Sequence, residues 1–240
     1  MTSIETPPAN HNYLIGIFDI LGFTEKVRKF KIDEILNKYE QQFSEGFKVK
    51  SKLFDFEYCY FSDTFLIWKR EPQSIRESLL ILLEGLKNLY ERLVINDLVD
   101  PWFFRGCITY GDCRIHLKRN EQDSQNSVVL GRPLIDAYEI GNKLNFIGVT
   151  IHNIFGNIIP PELIREFEQA KIIYYYDDIP TKNGRIQGYV LNWVQNSTGN
   201  ILGNLESRLK NISDTTVNLE VKNKLDETLR FILRVKQHVP

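Results

Sequence analysis

The chain has 240 residues and nearly balanced charge, with 30 lysines and arginines against 31 aspartates and glutamates. That length suits one domain with a sizeable core, and no basic block argues for nucleic acid as the main partner. Three cysteines and four scattered histidines form no zinc spacing, and no apolar leader or bilayer-length run occurs, so a reduced, cytoplasmic protein with no membrane partner is expected.

In chain order, residues 1–11 are polar, hold two prolines and read as a loose tail. The run Leu14-Ile15-Gly16-Ile17-Phe18 reads as a buried strand that ends on a single carboxylate, Asp19. Over 24–45 the apolar residues Val27, Phe30, Ile35, Leu36, Tyr39 and Phe43 share a helical face, with an interruption at Lys29-Phe30-Lys31. Residues 54–68 are rich in aromatics and read as a β-hairpin whose turn, near Ser62-Asp63, carries a second carboxylate. Alternation puts Cys59, Phe61 and Asp63 on one face and Tyr58 and Tyr60 on the other. Ser74 and Glu77 form a capping box, and Leu79, Leu82, Leu83, Leu86, Leu89 and Leu93 continue a core helix to about residue 96.

Residues 102–115 read as a strand region interrupted at Gly106 and Gly111, with Arg105 inside it. A short strand over 128–131 precedes a helix opened by Pro133, which suits a first helical turn. A strand over 148–151 and a helix over 160–170 follow, then strands over 172–176 and 188–193 around a turn at Lys182-Asn183-Gly184. The stretch 196–204, rich in serine, threonine, asparagine and glycine, reads as a linker, and 219–239 as a closing amphipathic helix. Irregular alternation with a tight hairpin predicts an α+β domain, its central sheet mainly antiparallel with helices packed on it.

An acid at the end of an apolar strand is costly to bury alone and needs a metal, a cation or water. The turn Leu21-Gly22-Phe23-Thr24 follows Asp19 at once, and its backbone N–H groups, with a helix start behind them, can face a phosphate. Plainer readings stand beside these. Asp19 is then a strand end facing water, Asp63 an ordinary turn residue, and Phe23 and Thr24 packing and a cap. Cys59 is then a small apolar filler, Tyr58, Tyr60 and Phe61 core or dimer contacts, and Asp136 and Glu139 solvated helix positions.

Asp19 in FDILGFT and Asp63 in YFSDTFLI resemble the two metal-binding aspartates of class III nucleotide cyclases. RGCITYG, residues 105–111, is similar to that family's glycine-bounded strand, and LGRPLIDAYEI, residues 130–140, to the strand-to-helix motif after it. The resemblance spans residues 13–151 in the family's order. It implies a ferredoxin-like cyclase catalytic domain over 12–195, with a linker and C-terminal helix over 196–240 packing on the domain or on a dimer. It implies two Mn²⁺ or Mg²⁺ ions held by Asp19, Asp63 and the Ile20 carbonyl. Backbone N–H groups of Leu21, Gly22, Phe23 and Thr24 would cradle the phosphates.

The departures from the family are specific. Cys59 and Val128 stand where base-reading polar residues are found in enzymes that use ATP or GTP, and Ile135 and Glu139 where an assisting Asn and Arg are found. Arg105 either pairs structurally or replaces the missing cation at the phosphates. The pattern is similar to compact bacterial pyrimidine cyclases. That likeness implies a homodimer with composite sites that cyclises UTP, or less favourably CTP. Its product would be an anti-phage second messenger read by a separate effector. The alternatives are a catalytically degenerate nucleotide sensor, a purine nucleotide cyclase and another two-metal nucleotidyl enzyme.

Overall fold

The structure, a computed structural model, describes residues 11–38, 41, 56–95, 101–116, 128–152, 159–194 and 199–237. Its central element is β1 (His11–Ile20), which pairs antiparallel with β3 (Thr64–Arg70) on one side and β4 (Phe104–His116) on the other. β2 (Glu57–Phe61) extends the sheet beyond β3, and β5 (Val128–Leu130) pairs with the far end of β4. β6 (Val149–Ile151), β8 (Gly184–Leu191) and β7 (Ile173–Thr181) complete the order β2-β3-β1-β4-β6-β8-β7. The β4–β6 ladder is parallel and the other ladders are antiparallel, so the expected α+β fold with a mainly antiparallel sheet is what forms.

The period of two along β1 assigns its side chains to two cores. Leu14, Phe18 and Ile20 join the main core, which includes the buried leucines of α3 (Ile75–Tyr90). Tyr13, Ile15 and Ile17 join a smaller core with Leu66, Trp68, Cys107 and Ala137, the last on α4 (Arg132–Lys143). Asp19 continues this second set. In α3, Leu79, Leu82, Leu83, Leu86 and Leu89 are all fully buried, each contributing roughly 1.5–3 kcal/mol. The helix starts with the Ser74 cap expected of it: Ser74 Oγ accepts from the Glu77 N–H at 3.2 Å. It ends in a π-helical turn, Glu91–Ile95.

The interruption expected at Lys29-Phe30-Lys31 is present: α1 (Phe23–Lys29) and α2 (Ile32–Lys38) are separated at Phe30, whose backbone is extended; Tyr39 and Phe43 lie outside the described residues. Several boundaries differ from expectation. His11, expected in the tail, instead belongs to β1 and pairs with Cys113; residues 1–10 lie outside the described residues. Gly106 and Gly111 do not interrupt β4, which runs unbroken for 13 residues. Instead Gly106 permits close approach. A Cβ there would overlap the Ile17 carbonyl oxygen and the Phe18 ring, and one at Gly141 on α4 would lie 3.4 Å from the Gly106 Cα. The end of α4 is thereby brought down onto the sheet beside Arg105.

The linker expected over 196–204 is also corrected. Residues from 199 onward belong to α6 (Gly199–Thr215), which follows α5 (Pro161–Gln169) in the chain. Its polar composition hides a helical stripe of Leu202, Leu205, Leu209 and Ile212, the three leucines buried. The closing helix is α7 (Leu219–Gln237). Phe231 of α7 is fully buried among Phe146, Tyr174, Tyr176 and Trp193. Thr228 Oγ1 accepts from the Ile147 N–H at 2.8 Å. That bond pins α7 against the connection between α4 and β6. Among the described residues no helix is long and apolar enough to cross a membrane.

Candidate active site

Asp19 stands one residue from the end of β1, in register with Thr64 on β3 and Arg105 on β4. The β2–β3 turn is the two residues Ser62 and Asp63, with Ser62 at a left-handed φ of 57°. The turn is tied to β1 through its backbone: the Ile20 N–H donates to the Asp63 carbonyl oxygen at 2.7 Å. Asp19 and Asp63, distant in sequence, are thus brought to one end of the sheet, and Asp63's charge acts on Asp19.

Arg105 is almost fully buried, and Asp19 is 23 % exposed. The guanidinium donates through Nε and Nη2 to one oxygen, Asp19 Oδ2, at 3.3 Å each, and through Nη1 to the Leu144 carbonyl at the end of α4. Of the two roles open to Arg105, the geometry has the ion pair with Asp19. Both contacts fall on Oδ2, so Arg105 does not engage Oδ1. Burial pushes the Asp19 pKa above the ordinary carboxylate value, Arg105 opposes that shift, and Asp63 adds to it.

This donor set fits a hard divalent cation: two carboxylates that repel each other, beside the Ile20 main chain. Among the described residues no group of three or more His, Cys, Asp or Glu side chains is placed to hold a metal, so oxygens beyond the two carboxylates would have to come from backbone, water or ligand. A cation competes with protons for Asp19. Because the folded pKa of Asp19 is raised, its contribution to stability in the metal-free protein is fully present below the unfolded value. It is lost as pH rises through the folded one. A divalent cation held at these carboxylates would act in the opposite direction. The increase in melting temperature caused by Mn²⁺ is expected to be absent near pH 4 and to grow as pH rises toward neutrality. Differential scanning fluorimetry with and without the ion checks this, and Asp19→Asn should flatten the dependence.

Gly22 follows with φ +71°, the left-handed conformation that lets the chain leave β1 and enter α1. The Leu21 N–H donates to the Phe103 carbonyl at 2.8 Å, which removes it from the expected phosphate cradle and narrows that cradle to Gly22, Phe23 and Thr24. Beside the turn lies a cleft of about 320 Å³, lined among others by Leu21, Gly22, Lys26, Lys29, Val221 and Lys224.

On the α4 side of Thr64 is an apolar groove of about 530 Å³, lined by Ile17, Phe61, Leu134, Ile135, Tyr138 and Glu139 among others. Phe61, Ile135 and Tyr138 are each more than half exposed. Cys59 packs on the same second core, opposite Leu66, with its thiol pushed up to about 12 by burial. Tyr58 and Tyr60 pack on the main core instead, which matches the expected alternation. Lys224 was not anticipated from the sequence. The available signal was its phase: residues 224, 228, 231 and 235 share the buried face of α7, an unusual place for an ammonium group.

No protein-family model matches the sequence, and no curated protein does. Solved structures do. The adenylyl cyclase CyaB from P. aeruginosa is 16 % identical, with 76 % of this chain and 94 % of that one covered at a TM-score of 0.52. The guanylate cyclase domain of RhGC from Catenaria anguillulae, solved with GTP, is 10 % identical over 77 % and 98 % of the two chains, at 0.55. A bacterial light-regulated adenylyl cyclase is 14 % identical over 84 % and 100 %, at 0.50. With the carboxylates at the end of the central strand and hairpin, these matches identify the chain's fold as that of the adenylyl and guanylyl cyclase domains.

Proposed function

We propose that the protein is a metal-dependent nucleotide cyclase that converts a pyrimidine nucleoside triphosphate, UTP before CTP, to its 3′,5′-cyclic monophosphate and pyrophosphate. The observation that carries this is the meeting of Asp19 and Asp63 at the end of β1, held by the Ile20–Asp63 backbone bond, on a sheet of cyclase topology. In the reaction the ribose 3′-oxygen bonds to the α-phosphorus, the bond from that phosphorus to the bridging oxygen breaks, and the hydroxyl proton passes to water. Asp19, Asp63 and the Ile20 carbonyl would hold the divalent cations. When bound, these supply charge stabilisation at the attacking and leaving oxygens.

The chain's own residues do the positioning. Arg105 fixes the orientation of Asp19 through Oδ2 and leaves Oδ1 to the cation site. The Gly22–Thr24 turn faces the polyphosphate. Cys59, in the position where purine enzymes read the base, is a protonated thiol at neutral pH and a weak hydrogen-bond partner. That supports a base other than a purine, as does the apolar lining of the groove beside Thr64. The exposed Phe61, Ile135 and Tyr138 support a homodimer closed over this groove. The free thiols of Cys59, Cys107 and Cys113 support a reducing, cytoplasmic location. A role as the source of an anti-phage second messenger, read by a separate effector, rests on the motif resemblance to bacterial pyrimidine cyclases.

A second reading, a nucleotide sensor without turnover, is favoured by Ile135 and Glu139 in place of the assisting Asn and Arg. One assay separates the two: purified protein with each of the four nucleoside triphosphates and Mn²⁺, products resolved by mass. A cyclic pyrimidine monophosphate is expected. Cyclic AMP or GMP would overturn the pyrimidine assignment. Binding without turnover would establish the sensor.

A further inference from the structure

We infer that Lys224, carried by the C-terminal helix α7, is a polyphosphate-binding residue acting within its own subunit, and that α7 therefore forms one wall of the triphosphate site. The inference rests on the cyclase reading for the identity of the substrate and on the following geometry for the residue.

Lys224 is 8 % exposed and lines the cleft together with Leu21 and Gly22, the two residues that leave the Asp19 strand. Lys224 therefore connects the cleft to the carboxylate end of the sheet. The bond between Thr228 and the Ile147 N–H and the burial of Phe231 fix this helix against the core, so the ammonium group is held in place by the fold rather than by a long free side chain.

The surrounding charges explain what it would bind. Lys26, Lys29 and Lys224 face the cleft against one acid, Glu25. Lys26 already donates to the Pro101 carbonyl at 3.1 Å and lies over the Trp102 ring, and Glu25 is paired with Arg28 at 2.7 Å. Lys224 Nζ donates to Glu220 Oε1 at 2.7 Å, one helical turn back, and that carboxylate also faces Lys182 at 3.8 Å. A buried ammonium paired with one exposed acid, which it shares with Lys182, is undercompensated. A dianionic phosphate in the cleft supplies the missing charge, and Glu220 is free to turn to Lys182 and solvent.

The test uses the full-length protein and inorganic tripolyphosphate with Mn²⁺, read by calorimetry, alongside steady-state kinetics. Lys224→Met should weaken tripolyphosphate binding and raise KM for the nucleotide about tenfold or more, while Lys224→Arg restores both to within a few-fold. Val221→Glu, at the more exposed lip of the same cleft, adds an acid without entering the core and should weaken binding in the same direction, which covers the case in which Lys224→Met does not fold. Unchanged tripolyphosphate affinity and KM in Lys224→Met or in Val221→Glu would overturn the assignment while leaving cyclase activity standing. Binding that depends on Lys224 in a protein that makes no cyclic product would do the reverse: the cleft assignment stands and the cyclase reading falls.

Discussion

Asp19→Asn and Asp63→Asn should each lower cyclic-nucleotide formation by about 1000-fold or more, equivalent to roughly 4 kcal/mol of barrier, with the fold intact. Neither substitution changes shape. Asp19→Asn keeps an oxygen for Arg105, and what it removes is the charge that a divalent cation requires. At Asp63 the hairpin is held through the backbone carbonyl that accepts from Ile20, so a neutral side chain leaves the turn in place. Circular dichroism and melting temperature near the wild-type values, together with the loss of turnover, would show that the two carboxylates act in chemistry rather than in folding. Near-full activity in either variant would remove the cation assignment, and with it the cyclase reading.

The second large effect is expected at the groove. Ile135 and Tyr138 stand on consecutive turns of α4, both more than half exposed, next to Phe61 at the end of β2. Large apolar side chains gathered on one face are what a second copy of the chain would cover. Ile135→Asp with Tyr138→Asp places two charges in that contact and should weaken self-association by roughly 2 kcal/mol or more. Light scattering at micromolar concentration should then report a monomer, and turnover should fall with it if, as proposed, the site is shared between two copies. The monomer should stay folded, since these side chains contribute little to the core. A variant that remains dimeric and active would place the interface elsewhere.

The candidate acids and their strands were legible in the sequence because their signals are local. An apolar run that ends on an acid, a glycine turn behind it and a second acid between two aromatic strands can each be read in a short window. The capping box at Ser74 and the face of α3 were legible for the same reason, helical period and cap lying within a few residues. Composition misled where polar residues were interspersed with a buried stripe, as in α6. Glycine misled at Gly106, which was expected to break a strand. There its lack of a side chain serves a neighbour distant in the chain, admitting the Ile17 backbone and the end of α4.

By itself the sequence determined the α+β class, the mainly antiparallel sheet, the alternation in the β2–β3 hairpin and which acids were candidates for the site. Only the tertiary structure decided that Asp19 and Asp63 adjoin, that Arg105 is tied to Asp19 and to Leu144, that the Leu21 N–H is taken by the Phe103 carbonyl, and that Lys224 reaches the cleft. The physical reason is the range of the interactions. Strand and helix periods are set by each residue's own backbone and near neighbours. Ion pairs, shared electrostatic fields and close backbone approaches join residues that are distant in the chain, and these exist only once the sheet has fixed its register.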